Sequence, residues 1–144
     1  MVLTDEQRQF LADHRLVVVG IPRAAGAPHL SPVYYVLDGD DVLISTTASR
    51  FKARAVRRNP AVSLCVLHEQ FPFPYLLVYG TGTVEEEGAV DLMMRVGERM
   101  TGNPVPESAR PAIEERARKE GRVVLRVRPQ RAVSTMPLGQ ARGR

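Results

Sequence analysis

Ile44 to Pro60 runs I-S-T-T-A-S-R-F-K-A-R-A-V-R-R-N-P. Its first four residues are β-branched or hydroxylated and complete a strand that begins at Val42. Arg50 to Asn59 has helical composition, with Ser49 as the N-cap and Asn59 and Pro60 as the stop. Three hydroxyls, Thr46, Thr47 and Ser49, therefore lead into a helix N-terminus, whose free amides and positive dipole end favour an anion. Arg50 and Lys52 add mobile charge there. Cations in a first helical turn oppose the macrodipole, so a bound anion relieves a local conflict as well as gaining contacts. From composition alone, the segment reads equally as a phosphate site or as a solvated basic helix.

Toward the N-terminus, D-G-D-D at Asp38 to Asp41 is a turn signal, with Gly39 free to take positive φ. Pro28 to Leu37 before it reads as one strand, Ala24 to Ala27 as a hairpin loop, and Leu16 to Ile21 as a strand covered on both faces. T-D-E-Q at Thr4 to Gln7 is a capping box opening a short helix that ends near His14. Toward the C-terminus come a strand at Ala61 to His68, a loop at Glu69 to Pro74, and a long strand at Tyr75 to Glu86. In that strand Gly80 and Gly82 mark a bulge or a close approach. A helix at Ala89 to Thr101, a proline-rich loop, a helix at Ala112 to Glu120 closed by Gly121, and a strand at Arg122 to Arg128 complete the chain. Six hairpin-connected, mostly antiparallel strands with short helices between them predict an α+β barrel. The strands at Leu16 to Ile21 and Tyr75 to Tyr79 are apolar on both faces, while the helices are few and polar. That apolar excess predicts a homodimer.

With 144 residues, 44% apolar and 25% charged, the chain has the length of one domain spanning residues 1–144 and enough apolar content for a core. Its longest apolar runs are six residues, far short of the roughly 20 of a spanning helix, so no membrane partner is expected. The N-terminus has no apolar leader segment, and a cytoplasmic location is expected. Cys65 is the single cysteine, which excludes an internal disulfide and a multi-cysteine zinc site, and His14, His29 and His68 lack metal-ligand spacing. No metal is expected. The net charge is +4, and five cations fall between residues 50 and 58 without a carboxylate. Such a patch attracts nucleic acid, an anionic membrane or a phosphorylated small molecule. Phe51 is the only aromatic near it and no nucleic-acid recognition motif follows, which disfavours nucleic acid as a partner. No G-x-S-x-G elbow, P-loop or H-E-x-x-H pair is present, and no residue stands out as catalytic.

The order of elements resembles the pyridoxamine 5′-phosphate oxidase-like FMN-binding split-barrel family. So do S-T-T-A-S-R-F-K-A-R (Ser45 to Arg54), R-R-N-P (Arg57 to Pro60), H-L-S-P-V-Y-Y (His29 to Tyr35) and V-Y-G-T-G-T-V (Val78 to Val84). The similarity runs from about residue 4 to residue 137 and is greatest to the branch that uses the deazaflavin coenzyme F420. The resemblance implies a six-stranded split barrel with short flanking helices, assembled as a homodimer. It implies that Thr46, Thr47, Ser49, Arg50 and Lys52 hold the cofactor phosphate and that Ser31, Pro32 and Val33 lie along the ring system. Tyr75 and Tyr79 would wall the pocket from the partner subunit, and M-P-L-G-Q at Met136 to Gln140 resembles the tail near the pocket. Pro32 departs from members whose backbone amide donates to the cofactor at that position. The activity implied is an F420-dependent oxidoreductase that passes a hydride from the reduced cofactor to a small organic acceptor. The cofactor would carry the chemistry, which accounts for the missing catalytic signature. Three other readings remain: an FMN-dependent oxidase or reductase of the pyridoxamine phosphate oxidase type, a flavin-binding protein without turnover, and a basic nucleic-acid-binding module.

Overall fold

A computed structural model describes residues 2–134 and 136–139. The capping box forms: Gln7 N donates to the Thr4 hydroxyl at 3.1 Å and Thr4 N to the Gln7 side chain at 2.9 Å, opening α1 (Asp5–Asp13). The chain continues through β1 (Leu16–Ile21), β2 (His29–Tyr34), β3 (Val36–Asp38), β4 (Asp41–Thr47) and α2 (Phe51–Arg58). Then follow β5 (Ala61–Leu67), β6 (Tyr75–Glu85), α3 (Ala89–Thr101), α4 (Arg110–Glu120) and β7 (Arg122–Ser134).

All seven strands form one antiparallel sheet in the order β2-β1-β5-β6-β7-β4-β3. The strand count is seven instead of six because Tyr35 divides the segment expected as a single strand. β2 and β3 lie at opposite edges of the sheet and only Tyr35 separates them, so the edges meet there and the sheet curls into a split barrel. Tyr35 is fully buried, its amide donating to the Arg15 carbonyl at 3.2 Å and its hydroxyl to the Leu11 carbonyl at 2.5 Å.

β7 runs six residues beyond its expected end at Arg128. Proline ordinarily ends a central strand, but Pro129 pairs with Gly80 where the register shifts, Tyr79 pairing with Arg131 and leaving Gln130 as the extra residue. The missing amide thus falls where the ladder is already irregular. A Cβ on Gly80 would stand 2.5 Å from the Arg128 carbonyl oxygen, which explains the glycine. α4 starts at Arg110, two residues early, with Pro111 in its first turn, where a proline amide is not needed.

The barrel interior is packed by Val17, Val19, Ile44, Leu64, Leu76, Val78 and Leu125, closed by Phe10 and Leu11 of α1 and by Ala55 and Val56 of α2. On the outside, α3 sets Ala89 and Leu92 against Val36, Leu43 and Val124, covering the β3, β4 and β7 end. Among the described residues the outer face of β1, β2, β5 and the start of β6 has no such cover: Leu16, Val18, Leu30, Leu67 and Tyr79 are exposed. β1, expected to be covered twice, is covered on one face within the chain. Among the described residues no helix is long and apolar enough to cross a membrane.

Candidate functional site

Strand alternation divides the expected phosphate residues. Thr46 follows Val42 and Ile44 on the interior face and is fully buried, its hydroxyl oxygen without a hydrogen-bond partner among the described residues. Thr47 takes the opposite face. The chain then turns, Arg50 N donating to the Thr47 carbonyl at 3.1 Å, and α2 begins with Arg50 as its N-cap. Ser49, expected as the cap, is exposed in the turn one residue too early to reach the helix amides. Among the described residues no side chain caps α2, and no acidic residue stands in its first turn. The amides and the positive dipole end are thus open to an external anion.

Lys52 points back under this turn. It is only 7% exposed, and its ammonium donates to the Ser31 hydroxyl across 3.3 Å. Among the described residues it forms no ion pair. Burial, and then the charge of Arg50, lower its pKa. Ser31 is presented by the register of β2 on β1, where His29, Ser31 and Val33 lie opposite Ile21, Val19 and Val17, all interior residues. Pro32 pairs with Val18 and faces outward. Tyr79 also lies on the outer face, 42% exposed and paired with Ser63 and Arg131. The structure therefore brings Ser31 and Lys52 into contact, with Thr46 on the same side of the sheet and Arg50 at the rim. Thr47, Pro32 and Tyr79 stand on the other side.

Sequence reading missed His29. Its ring lies 4.9 Å from that of Phe51, and its Nδ1 is buried without a partner among the described residues. The period-two alternation that places Ser31 inward would have placed His29 with it. It also missed that His14 and His68 meet. His14 Nδ1 donates to the Phe10 carbonyl at 2.7 Å, so in the neutral pair His14 Nε2 accepts from His68 Nδ1 at 3.0 Å. Fifty-four residues separate them, and no local pattern signals the contact. In the tail, Leu138 is buried in the main core and Gly139 N donates to the Glu6 carboxylate at 2.6 Å; Gln140 lies outside the described residues.

Among the described residues, an ammonium without an ion pair, the hydroxyl it meets and a helix start without a side-chain cap form a donor set that fits a phosphate group, with the buried Thr46 hydroxyl on the same side of the sheet. Neutralising Lys52 would also relieve the cost of its burial.

Residues 3–135 match the family model described as pyridoxamine 5′-phosphate oxidase. Among solved structures, a conserved hypothetical protein from Mycobacterium tuberculosis has a TM-score of 0.79 at 24% identity, covering 93% of this chain and 85% of that one. An F420 reductase has a TM-score of 0.72 at 23% identity, covering 91% and 98%. The heme storage protein HutZ from Vibrio cholerae has a TM-score of 0.65 at 18% identity, covering 92% and 94%. At these identities the likeness is one of fold. No curated protein matches the sequence.

Proposed function

Because the chain belongs to the pyridoxamine 5′-phosphate oxidase family, we propose that it is an oxidoreductase that anchors a flavin-type cofactor by its phosphate at the start of α2. The observation that carries this reading is the buried Lys52 ammonium, held by Ser31 and matched by no carboxylate among the described residues. In this reading Lys52, Arg50 and the uncapped α2 amides take the phosphate. Thr46 and Ser49 supply hydroxyls around that turn and Ser31 and Val33 border the ring, while Thr47 and Pro32, whose side chains lie on the other face of the sheet, border the cofactor through their main chain alone. The whole chain serves as one cofactor-binding domain.

Coenzyme F420 is the cofactor we favour. The motifs resemble that branch, and an F420 reductase shares the fold. Bound there, the cofactor supplies hydride transfer to a small organic acceptor. The chain's own residues bind and orient it and keep water from its ring. FMN is the second reading, because the cations at the helix start suit its phosphate equally. Tyr79 reaches such a pocket only from a second copy, since it lies on the outer face of its own barrel. The bare apolar face around it supports a homodimer. Titration of the purified protein with coenzyme F420 and with FMN, followed by deazaflavin fluorescence and flavin absorption, tests the proposal.

A further inference from the structure

A cleft of about 410 Å³ lies between β2 and β4 on one side and α3 and α4 on the other. Its volume is within the roughly 300–1,000 Å³ of small-molecule sites. Two kinds of side chain line it. Met93, Val96 and Met100 of α3, with Val33 of β2, make an apolar wall. Arg116 and Arg122, with Ser45 of β4, make a polar end.

Charge at the polar end is unbalanced. Glu120 is the carboxylate partner of both arginines, with Arg122 Nε at 2.7 Å and Arg116 Nε at 3.7 Å. Arg122 Nη1 also reaches the Ser45 hydroxyl at 3.5 Å. One carboxylate against two guanidinium groups leaves a positive charge over. The hydrogen bond from Arg122 holds the Glu120 carboxyl below the usual range, with Arg116 and Arg50 acting in the same direction. The apolar wall is adaptable, since methionine has three rotatable bonds and a polarisable sulfur that fit differently shaped bodies.

We propose that this cleft is the substrate pocket and that the substrate class is a small apolar carboxylic acid, its hydrocarbon part on Met93, Val96 and Met100 and its carboxylate on Arg116 and Arg122. The assignment rests on the oxidoreductase reading, in which the ring borders β2, the strand on which the cleft opens at Val33 and Tyr34. A bidentate guanidinium-carboxylate contact supplies both charge and orientation. The unmatched positive charge gives the acid an advantage over a neutral molecule of the same shape.

The test titrates the unmodified protein with 2-naphthoate and with uncharged 2-naphthamide by calorimetry, alongside methionine-methyl NMR. The acid is expected to bind about tenfold or more tightly than the amide and to shift the methyl signals of Met93 and Met100. Arg116→Gln, on the exposed side of α4, should cost the acid about tenfold and leave the amide unchanged. Equal affinities for acid and amide, unmoved methionine methyls, or an unaffected Arg116→Gln variant would overturn the assignment. Cofactor titration of the same unmodified protein separates the two readings. Acid-selective binding without any cofactor binding keeps the cleft as a carboxylate site and removes its catalytic use. Cofactor binding without acid selectivity removes the cleft proposal alone.

Discussion

The Lys52 ammonium meets the Ser31 hydroxyl at 3.3 Å, beneath a helix start that no side chain caps. A hydroxyl satisfies one of three ammonium donors and none of its charge. The free protein therefore carries an almost buried cation that an anion would complete, and Lys52→Met should raise the melting temperature of the cofactor-free protein, by about 2–4 °C if about 1 kcal/mol is recovered. Differential scanning calorimetry checks the sign.

Cofactor affinity should fall at the same positions. A charge-assisted hydrogen bond to phosphate is worth roughly 1.5–3 kcal/mol, so Lys52→Ala or Arg50→Ala should weaken binding about 10-fold to 150-fold. Arg57 and Arg58, exposed at the far end of α2, provide the control, and their alanine variants should bind nearly as wild type. Equal losses at all four positions, together with steeply salt-dependent DNA binding, would favour the nucleic-acid reading.

Alkaline pH should loosen the cofactor. Burial and Arg50 place the Lys52 pKa in the free fold below that of the unfolded chain, about 10.4. The burial cost is therefore fully present at low pH and relieved as pH rises through the lowered value, so the cofactor-free fold gains stability in that window. Phosphate needs the ammonium charged, so its affinity should decline through the same window. Dissociation constants measured from pH 7 to 10 should rise for the wild type and stay comparatively flat for Lys52→Met.

The proposed homodimer makes a separate demand of the outer face. Val18 and Leu30 lie on the bare face of β1 and β2, with Leu30 64% exposed. Sedimentation should report a dimer at micromolar concentration, and Val18→Glu should weaken it by more than tenfold. A stable wild-type monomer would remove the role of Tyr79 in a shared pocket.

Gly80→Ala would drive a Cβ to 2.5 Å from the Arg128 carbonyl at the bulge where β6 meets β7. Overpacking of this kind costs roughly 1–3 kcal/mol. Urea unfolding should show that loss, with cofactor affinity of the folded fraction unchanged.

Features written in local chemistry are legible in the sequence: the Thr4 and Gln7 capping box, the turn at Gly39, and the bulge signalled by Gly80. Those that depend on closing the sheet are not. Nothing in Y-Y-V at Tyr34 to Val36 announces that its flanks occupy opposite edges, because the break at Tyr35 arises only when the curled sheet brings those edges together. Pro129 suggests a strand end until its partner is known to be the bulge at Gly80. In the site, the charge excess of Arg50 and Lys52 is visible in composition, yet their different depths are not. Ser49 is displaced from capping by the turn that Thr47 and Arg50 close. His29 was within reach of simple alternation along β2, the same periodicity that puts Ser31 inside.

Whether Lys52 anchors the phosphate of a flavin-type cofactor is decided by fluorescence titration of coenzyme F420, with FMN in parallel, against wild type and Lys52→Met. Anchoring by Lys52 requires saturable binding of at least one cofactor to the wild type, and a loss of roughly tenfold or more in the variant although its fold is no less stable. No binding of either cofactor to the wild type, or equal affinity in both proteins, would contradict it.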